Sequence, residues 1–310
     1  MKRLTKLLIG SALLLNGAIA FAEGGYVDND FFKGMKKNDK AAIMMVHFGT
    51  TYDDTRAVTI DAINKKVQDR FKNTNVKEAY TSRIIMRRLK ARGINKPNPQ
   101  EVLNELKKEG YTHVVIQGTN VMNGVESENL HKEAQKYAKD FKDIRVGNPL
   151  LTSADDYKAV AKAIAKNIGP LKPHQGVVLV GHGTHHYGGS AYAAMDYVFS
   201  AEGLDNYVVG TVEGYPTFDD VVNELHKKGI KDVILMPFMF VAGDHANNDI
   251  AGDWKDDLIK AGFTVDQVKV MGLGQNADIQ DMYLEHINFA TQHKPEDMAA
   301  MKAKYATEKD

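Results

Sequence analysis

Three side chains at what read as strand tips can converge on one metal ion: His182 in Val-Gly-His-Gly-Thr, Glu213 in Val-Glu-Gly-Tyr-Pro, and His245 in Phe-Val-Ala-Gly-Asp-His. Two imidazoles and a carboxylate suit a borderline divalent ion such as cobalt, nickel, iron or zinc, and they leave positions open for a substrate. The 310 residues include no cysteine, which excludes disulfides, thiolate metal sites, iron–sulfur clusters and a cysteine nucleophile. A single His at a strand end is more often a hydrogen-bonded structural residue. Three candidates at successive tips of a repeated pattern shift the balance toward function. Gly181, Gly183 and Gly243 lie beside them and clear side-chain bulk for a large ligand. In the first half of the chain His47 and Glu126 hold the matching places. Glu126 is a candidate base or secondary ligand, although an acid early in a helix is equally well explained by the helix dipole.

The elements that must position these residues alternate in type. Strands are expected at Ala41–Phe48, Val76–Ser82, Thr112–Gly118, Ile144–Leu150, Gly176–His182, Tyr207–Glu213, Lys231–Pro237 and Gln267–Gly272. Continuous apolar runs such as Val177-Val178-Leu179-Val180 fit strands covered on both faces. Helical periodicity fills Thr55–Phe71, Asn98–Glu109, Glu126–Asp140, Ser153–Ile168, Thr217–Lys228 and Ile250–Ala261. Pro99 and Pro216 stand where helices begin, and Gly110, Gly229 and Gly262 where they end. Such alternation implies an open, parallel α/β sheet. The halves also repeat: Gly110 to Glu126 aligns without a gap on Gly229 to His245. A duplicated α/β fold follows, with four strands per half, residues 23–151 in one domain and 152–275 in the other. Residues 276–310 read as one long helical tail that crosses back to the first domain. Ligands of open α/β sheets bind outside the carboxyl ends of strands, so the site belongs in the cleft between the two sheets.

Forty basic side chains balance forty acidic ones, which argues against a protein built around a nucleic-acid backbone. Lys2, Arg3 and Lys6, the apolar stretch Leu7 to Ala20, and Ala20-Phe21-Ala22 read as a signal peptide over residues 1–22, cleaved before Glu23. Its removal leaves 37 basic against 40 acidic residues. No later run is long enough to span a bilayer, so the mature chain is expected to be periplasmic, with room for a homo-oligomer. The chain holds no Gly-Lys dipeptide, hence no Walker A loop and no expected nucleotide, and no G-x-S-x-G elbow. Met271 to Ala277 mimics a dinucleotide fingerprint but lacks the strand and ribose-binding acid that should follow. His185 and His186, in a Gly-rich loop, read as solvated. Arg83, Arg87 and Arg88 carry positive charge that can bind substrate carboxylates, a solvated helix face being the commoner explanation.

The repeated four-strand halves, the Gly-His182-Gly, Val-Glu213-Gly-Tyr-Pro and Asp-His245 segments, Ala79-Tyr-Thr-Ser-Arg-Ile-Ile, and Gln117-Gly-Thr-Asn with Gly124-Val-Glu126 together resemble the anaerobic sirohydrochlorin cobaltochelatases of CbiK type. These are class II chelatases, as are the ferrochelatases. The resemblance runs over essentially the whole chain after the leader, and the leader itself is where it departs from most of the family. It implies two flavodoxin-like domains and ATP-independent insertion of Co²⁺, with Fe²⁺ or Ni²⁺ as other candidate metals, into sirohydrochlorin or a related tetrapyrrole. It further implies His182, Glu213 and His245 as metal ligands and a catalytic role for Glu126. On the residues themselves, His182 or Glu126 is the candidate acceptor of a pyrrole proton, and His47, Ser82, Arg83 and Gly183 are candidate substrate contacts. The competing expectation is an exported protein that binds and transports metal, haem or another tetrapyrrole in the same cleft without turnover. Metal-dependent hydrolysis trails both, because no water-activating pair is evident.

Overall fold

The computed structural model describes residues 25–244 and 246–307; segment 1–22, read as a leader, and His245 lie outside the described residues. A short arm, β1 (Tyr26–Asp28), precedes the first half. That half runs β2 (Ala41–His47), α1 (Asp53–Arg56), a π-helical stretch (Ala57–Asp61), α2 (Ala62–Arg70), β3 (Asn75–Tyr80), α3 (Arg83–Ala91), α4 (Pro99–Lys108), β4 (His113–Gly118), α5 (Val125–Lys136) and β5 (Asp143–Val146). Helix α6 (Ala154–Ile168) leads to the second half: β6 (Gln175–Gly183), α7 (Ser190–Ala201), β7 (Tyr207–Glu213), α8 (Phe218–Lys227), β8 (Asp232–Pro237), a π-helical stretch (Ala246–Trp254), α9 (Lys255–Lys260) and β9 (Thr264–Val268). The chain then continues as α10 (Ala277–Gln292), β10 (His293–Pro295) and α11 (Met298–Tyr305). Among the described residues no helix is long and apolar enough to cross a membrane.

Each half is a four-stranded parallel sheet with the same permuted order, β3-β2-β4-β5 and β7-β6-β8-β9. The central strands β2 and β6 are buried along their length except at His182, as their unbroken apolar runs require. Equivalent helices are started by equivalent chemistry. Asn98 and Glu101 form a capping box on α4, and Thr217 and Asp220 form one on α8. Both helices end at a glycine with left-handed backbone, Gly110 at φ 76° and Gly229 at φ 65°.

Burial explains why the two sheets face one cleft. The outer face of each sheet packs on its own helices, around Leu103 and Ile116 in the first half and Leu225 and Trp254 in the second. The inner faces share a single core, in which Ile43 and Met45 join Val177, Leu179 and Phe238 through Tyr283 and Ile287 of α10. The crossing of the tail onto the first half is therefore structural, and it is latched by buried polar groups. His286, 1% exposed, places Nε2 3.0 Å from Asp156 Oδ1 of α6 and Nδ1 3.1 Å from Asn148 O.

The expected single helical tail is corrected. Helix α10 stops at Gln292, because Gln292 O accepts from Asn29 N at 2.7 Å and Thr291 O from Phe31 N at 2.7 Å, and β10 then pairs antiparallel with β1. Buried Arg145 donates to Ala290 O and His293 O, which completes the helix end. The last strand of the second sheet lies at Thr264–Val268 rather than 267–272. The later segment cannot stay in the sheet, because Gly272 is held against the Phe240 carbonyl, where a Cβ would lie 2.4 Å from the oxygen. Two helices beyond the expected set, α3 and α7, follow the second strand and the His182 loop.

Candidate active site

The carboxyl ends of both sheets open into a cleft of about 620 Å³ between the halves. Strands β6 and β7 run in register to their tips, Gly183 opposite Glu213, which brings the preceding His182 alongside that carboxylate. His182 Nδ1 lies 3.4 Å from Glu213 Oε1 and 3.1 Å from Gly183 O. A ring nitrogen facing two oxygens carries the proton, so Nε2 carries the lone pair that can bind a metal. Both side chains are about half exposed, at 47% and 54%, so an incoming ion and macrocycle can reach them. Gly183 is indispensable to this approach: its φ is 87°, and a Cβ on it would sit 1.4 Å from Glu213 O. Its N–H donates to the Tyr192 hydroxyl at 3.2 Å, which ties the tip to α7.

His47, the positional match of His182, is placed differently. It is 1% exposed at the cleft floor with both ring nitrogens engaged, Nδ1 with Thr119 Oγ1 and Nε2 with Asn64 Oδ1, each at 3.0 Å. Asn64 gives its amide N–H to Glu78 Oε2 at 2.8 Å, so its oxygen accepts from His47 Nε2–H and Nδ1 accepts from Thr119. Burial pushes the ring pKa down to about 4. His47 is thus a neutral, fixed part of the floor, stacked against Phe240 of the other half. Between the ordinary pKa of ~6.5 and 4 the unfolded chain takes up a proton that the folded one refuses. The stability it contributes is complete above about pH 6.5 and is lost as pH falls toward 4, roughly 2 kcal/mol of it between pH 7 and 5. Urea midpoints at the two pH values should show a smaller acid loss in His47→Gln than in the wild type; an equal loss contradicts this account.

Glu126 lies in the first turn of α5 and lines the cleft on the first-half side, with no hydrogen-bond partner for its carboxylate among the described residues. Ser82 also lines the cleft, but its hydroxyl caps α3 by accepting from Ile85 N at 3.4 Å. Arg83, one of the expected contacts, is exposed and stands outside the lining of the cleft, whereas Ile84, Ile85 and Arg88 belong to it. Helical spacing accounts for this, since residues 84 and 88 share a face and residue 83 lies off it. Arg88 Nη1 pairs across the cleft with Asp244 Oδ2 at 2.7 Å. His186 is likewise not solvated. Its side chain is 10% exposed, with Nε2 3.1 Å from Glu128 Oε1 of the other half, while His185 is exposed as expected. His245 lies outside the described residues, although the preceding Gly243 and Asp244 both line the cleft. No group of three or more candidate metal-ligating side chains forms among the described residues; the structure brings together His182 and Glu213, and the third expected ligand, His245, lies outside those residues.

Two repeated parallel sheets with an imidazole–carboxylate pair at neighbouring strand tips of the second sheet define a protein of the chelatase class. The chain belongs to the cobalt chelatase (CbiK) family, whose family model matches residues 41–292. It is 35% identical over 265 residues to sirohydrochlorin cobaltochelatase of Salmonella typhimurium, an alignment covering 84% of this chain and 100% of the relative. It is 31% identical over 259 residues to sirohydrochlorin cobaltochelatase CbiKC of Nitratidesulfovibrio vulgaris, covering 81% and 90% respectively. The fold is shared with SirB from Bacillus subtilis with Fe³⁺, at a TM-score of 0.59 and 16% identity, covering 81% of this chain and 96% of that one.

Proposed function

We propose that this protein inserts a divalent metal, Co²⁺ first and Fe²⁺ as the alternative, into sirohydrochlorin without nucleotide hydrolysis. The observation that carries the reading is the approach of His182 and Glu213 at the tips of β6 and β7, on the wall of a cleft large enough for a macrocycle. Family membership and the two cobaltochelatase relatives support the same activity. The metal is substrate, held by His182 Nε2, the Glu213 carboxylate and His245 while it sheds water. The macrocycle lies between the halves against Phe48, Ile84, Met239 and Phe240. As the metal leaves His182 for the ring, the two pyrrole N–H protons depart, one to the Glu126 carboxylate as general base and the other to the vacated His182 ring nitrogen. Contact with both walls bends the ring so that its nitrogen lone pairs turn toward the ion.

The test is incubation of the purified protein with sirohydrochlorin and Co²⁺, Fe²⁺ or Ni²⁺, followed by the absorbance change of metallation. Glu126→Gln should slow insertion about tenfold while still binding the macrocycle, because water in an open cleft can take over part of the proton acceptance. Unchanged insertion by Glu126→Gln removes Glu126 from the mechanism. Absence of metallation by the wild type, with macrocycle binding retained, favours the transport reading. The same proposal places the mature protein outside the cytoplasm, on the strength of the Lys2-Arg3 and Ala20-Phe21-Ala22 flanks of an apolar stretch. N-terminal sequencing of the exported protein should begin at Glu23, and an intact Met1 terminus would refute it.

A further inference from the structure

The two halves touch across the cleft in unlike ways at its two rims. At one rim Glu128 of α5 accepts from the Tyr187 hydroxyl and from His186. There Gly188 packs so tightly on Asn123 O that a Cβ would lie 2.0 Å from it. This contact is multiple, with the His186 side chain 10% exposed, as suits a fixed hinge. At the other rim the contacts among the described residues are lighter: Arg88 Nη1 pairs with Asp244 Oδ2 at 2.7 Å, the two side chains 55% and 48% exposed, the Tyr52 hydroxyl meets the same aspartate, and Thr55 Oγ1 donates to Ala242 O at 3.4 Å. An exposed pair of this kind contributes little to stability and exchanges readily for another partner.

Resting on the chelatase reading above, we infer that Arg88 is a specificity residue for a carboxylate on the rim of the incoming macrocycle, and that Asp244 occupies the guanidinium until that carboxylate displaces it. Three features of the cleft point this way. Arg88 stands on the same helical face as Ile84 and Ile85, so its charge lies at the edge of an apolar wall. A flat, apolar ring carrying acetate and propionate arms must lie on such a wall with its charges at the margin, where a guanidinium fork matches a carboxylate. The exchange is also like for like: Asp244 returns to water as the substrate carboxylate takes its place, and Arg88 is never left without a counter-charge. Tyr52, whose hydroxyl hydrogen-bonds Asp244, lies on the same rim and keeps the aspartate poised when the cleft is empty of substrate.

The two partners of a simple structural clasp would behave alike when either is removed. A placeholder and its target behave oppositely, and this gives the test. In the full chain, metal-free sirohydrochlorin is titrated by its absorbance and fluorescence, and KM for the macrocycle is measured in the metallation assay. Arg88→Ala should raise the dissociation constant and KM about tenfold, with Arg88→Lys between it and the wild type. Asp244→Asn should lower both about threefold. A sirohydrochlorin esterified on its acid arms should lose the difference between wild type and Arg88→Ala. Shifts in the same direction, or no shift in either variant, overturn the exchange. Failure of the wild type to metallate sirohydrochlorin at all would instead overturn the activity on which it rests, so the two failures are separable.

Discussion

His182→Ala is expected to reduce the initial rate of Co²⁺ insertion into sirohydrochlorin by more than about 100-fold while leaving the fold intact. The two halves of this expectation have separate causes. His182 is the one exposed position on β6, so truncating it opens no cavity, and thermal stability should move by no more than about 1 kcal/mol for the lost contacts to Gly183 O and Glu213. Its ring, however, is the one imidazole among the described cleft-lining residues that stands against a carboxylate. Without it, one of the three groups assigned to the ion is gone, and the remaining carboxylate and His245 compete poorly with the hydration shell of a divalent cation. His185→Ala is the matched control, since His185 is an exposed neighbour outside the cleft. Absorbance-followed metallation of the three proteins decides it. A His182→Ala rate within about threefold of wild type would remove His182 from the metal site.

Legibility differed by level, and for physical reasons. Strand order and the repeat were readable because parallel strands buried on both faces must be apolar throughout, and β2, β4, β6 and β8 carry such runs. The gapless correspondence of 110–126 with 229–245 reappears as β4 and β8 in equivalent places, each pairing with the central strand of its sheet. Helix α3 was hidden because four of its nine residues are basic, so charge masked its apolar positions, of which Leu89 is buried and Ile84 and Ile85 line the cleft. The two positionally matched histidines diverged because a strand tip does not specify what stands over it. Asn64 and Thr119 close over His47, whereas the tip that carries His182 stays open. Arg88 rather than Arg83 reaches the cleft through helix phase, which only a correct starting residue for α3 reveals. His186 and Glu128 are 58 residues apart, and no local pattern announces such a pair.

The contact that sequence reading could only call roomy is the one that constrains the site most. Gly183→Ala is expected to cost about 3–5 kcal/mol of stability and to lower metallation by about 100-fold in whatever fraction remains folded. The strain has two sources. At φ 87° an alanine occupies a backbone region that side chains disfavour, and its methyl would stand 1.4 Å from Glu213 O and 3.1 Å from Glu213 N. Real Cβ contacts open to 3.0 Å or more, so the tips of β6 and β7 must separate. Nothing flexible can give way, since the opposing atoms are backbone. That separation carries Glu213 away from His182 and strains the hydrogen bond from Gly183 N to the Tyr192 hydroxyl. The same glycine thus sets both the closeness of two strands and the closeness of two ligands, which is why stability and activity should fall together here but separately at His182. Gly252→Ala, where an added methyl meets open space, is the control for a simple glycine effect. If Gly183→Ala melts like the wild type and metallates at a normal rate, the strand tips are not held as close as the geometry requires, and the pairing of His182 with Glu213 loses its structural basis.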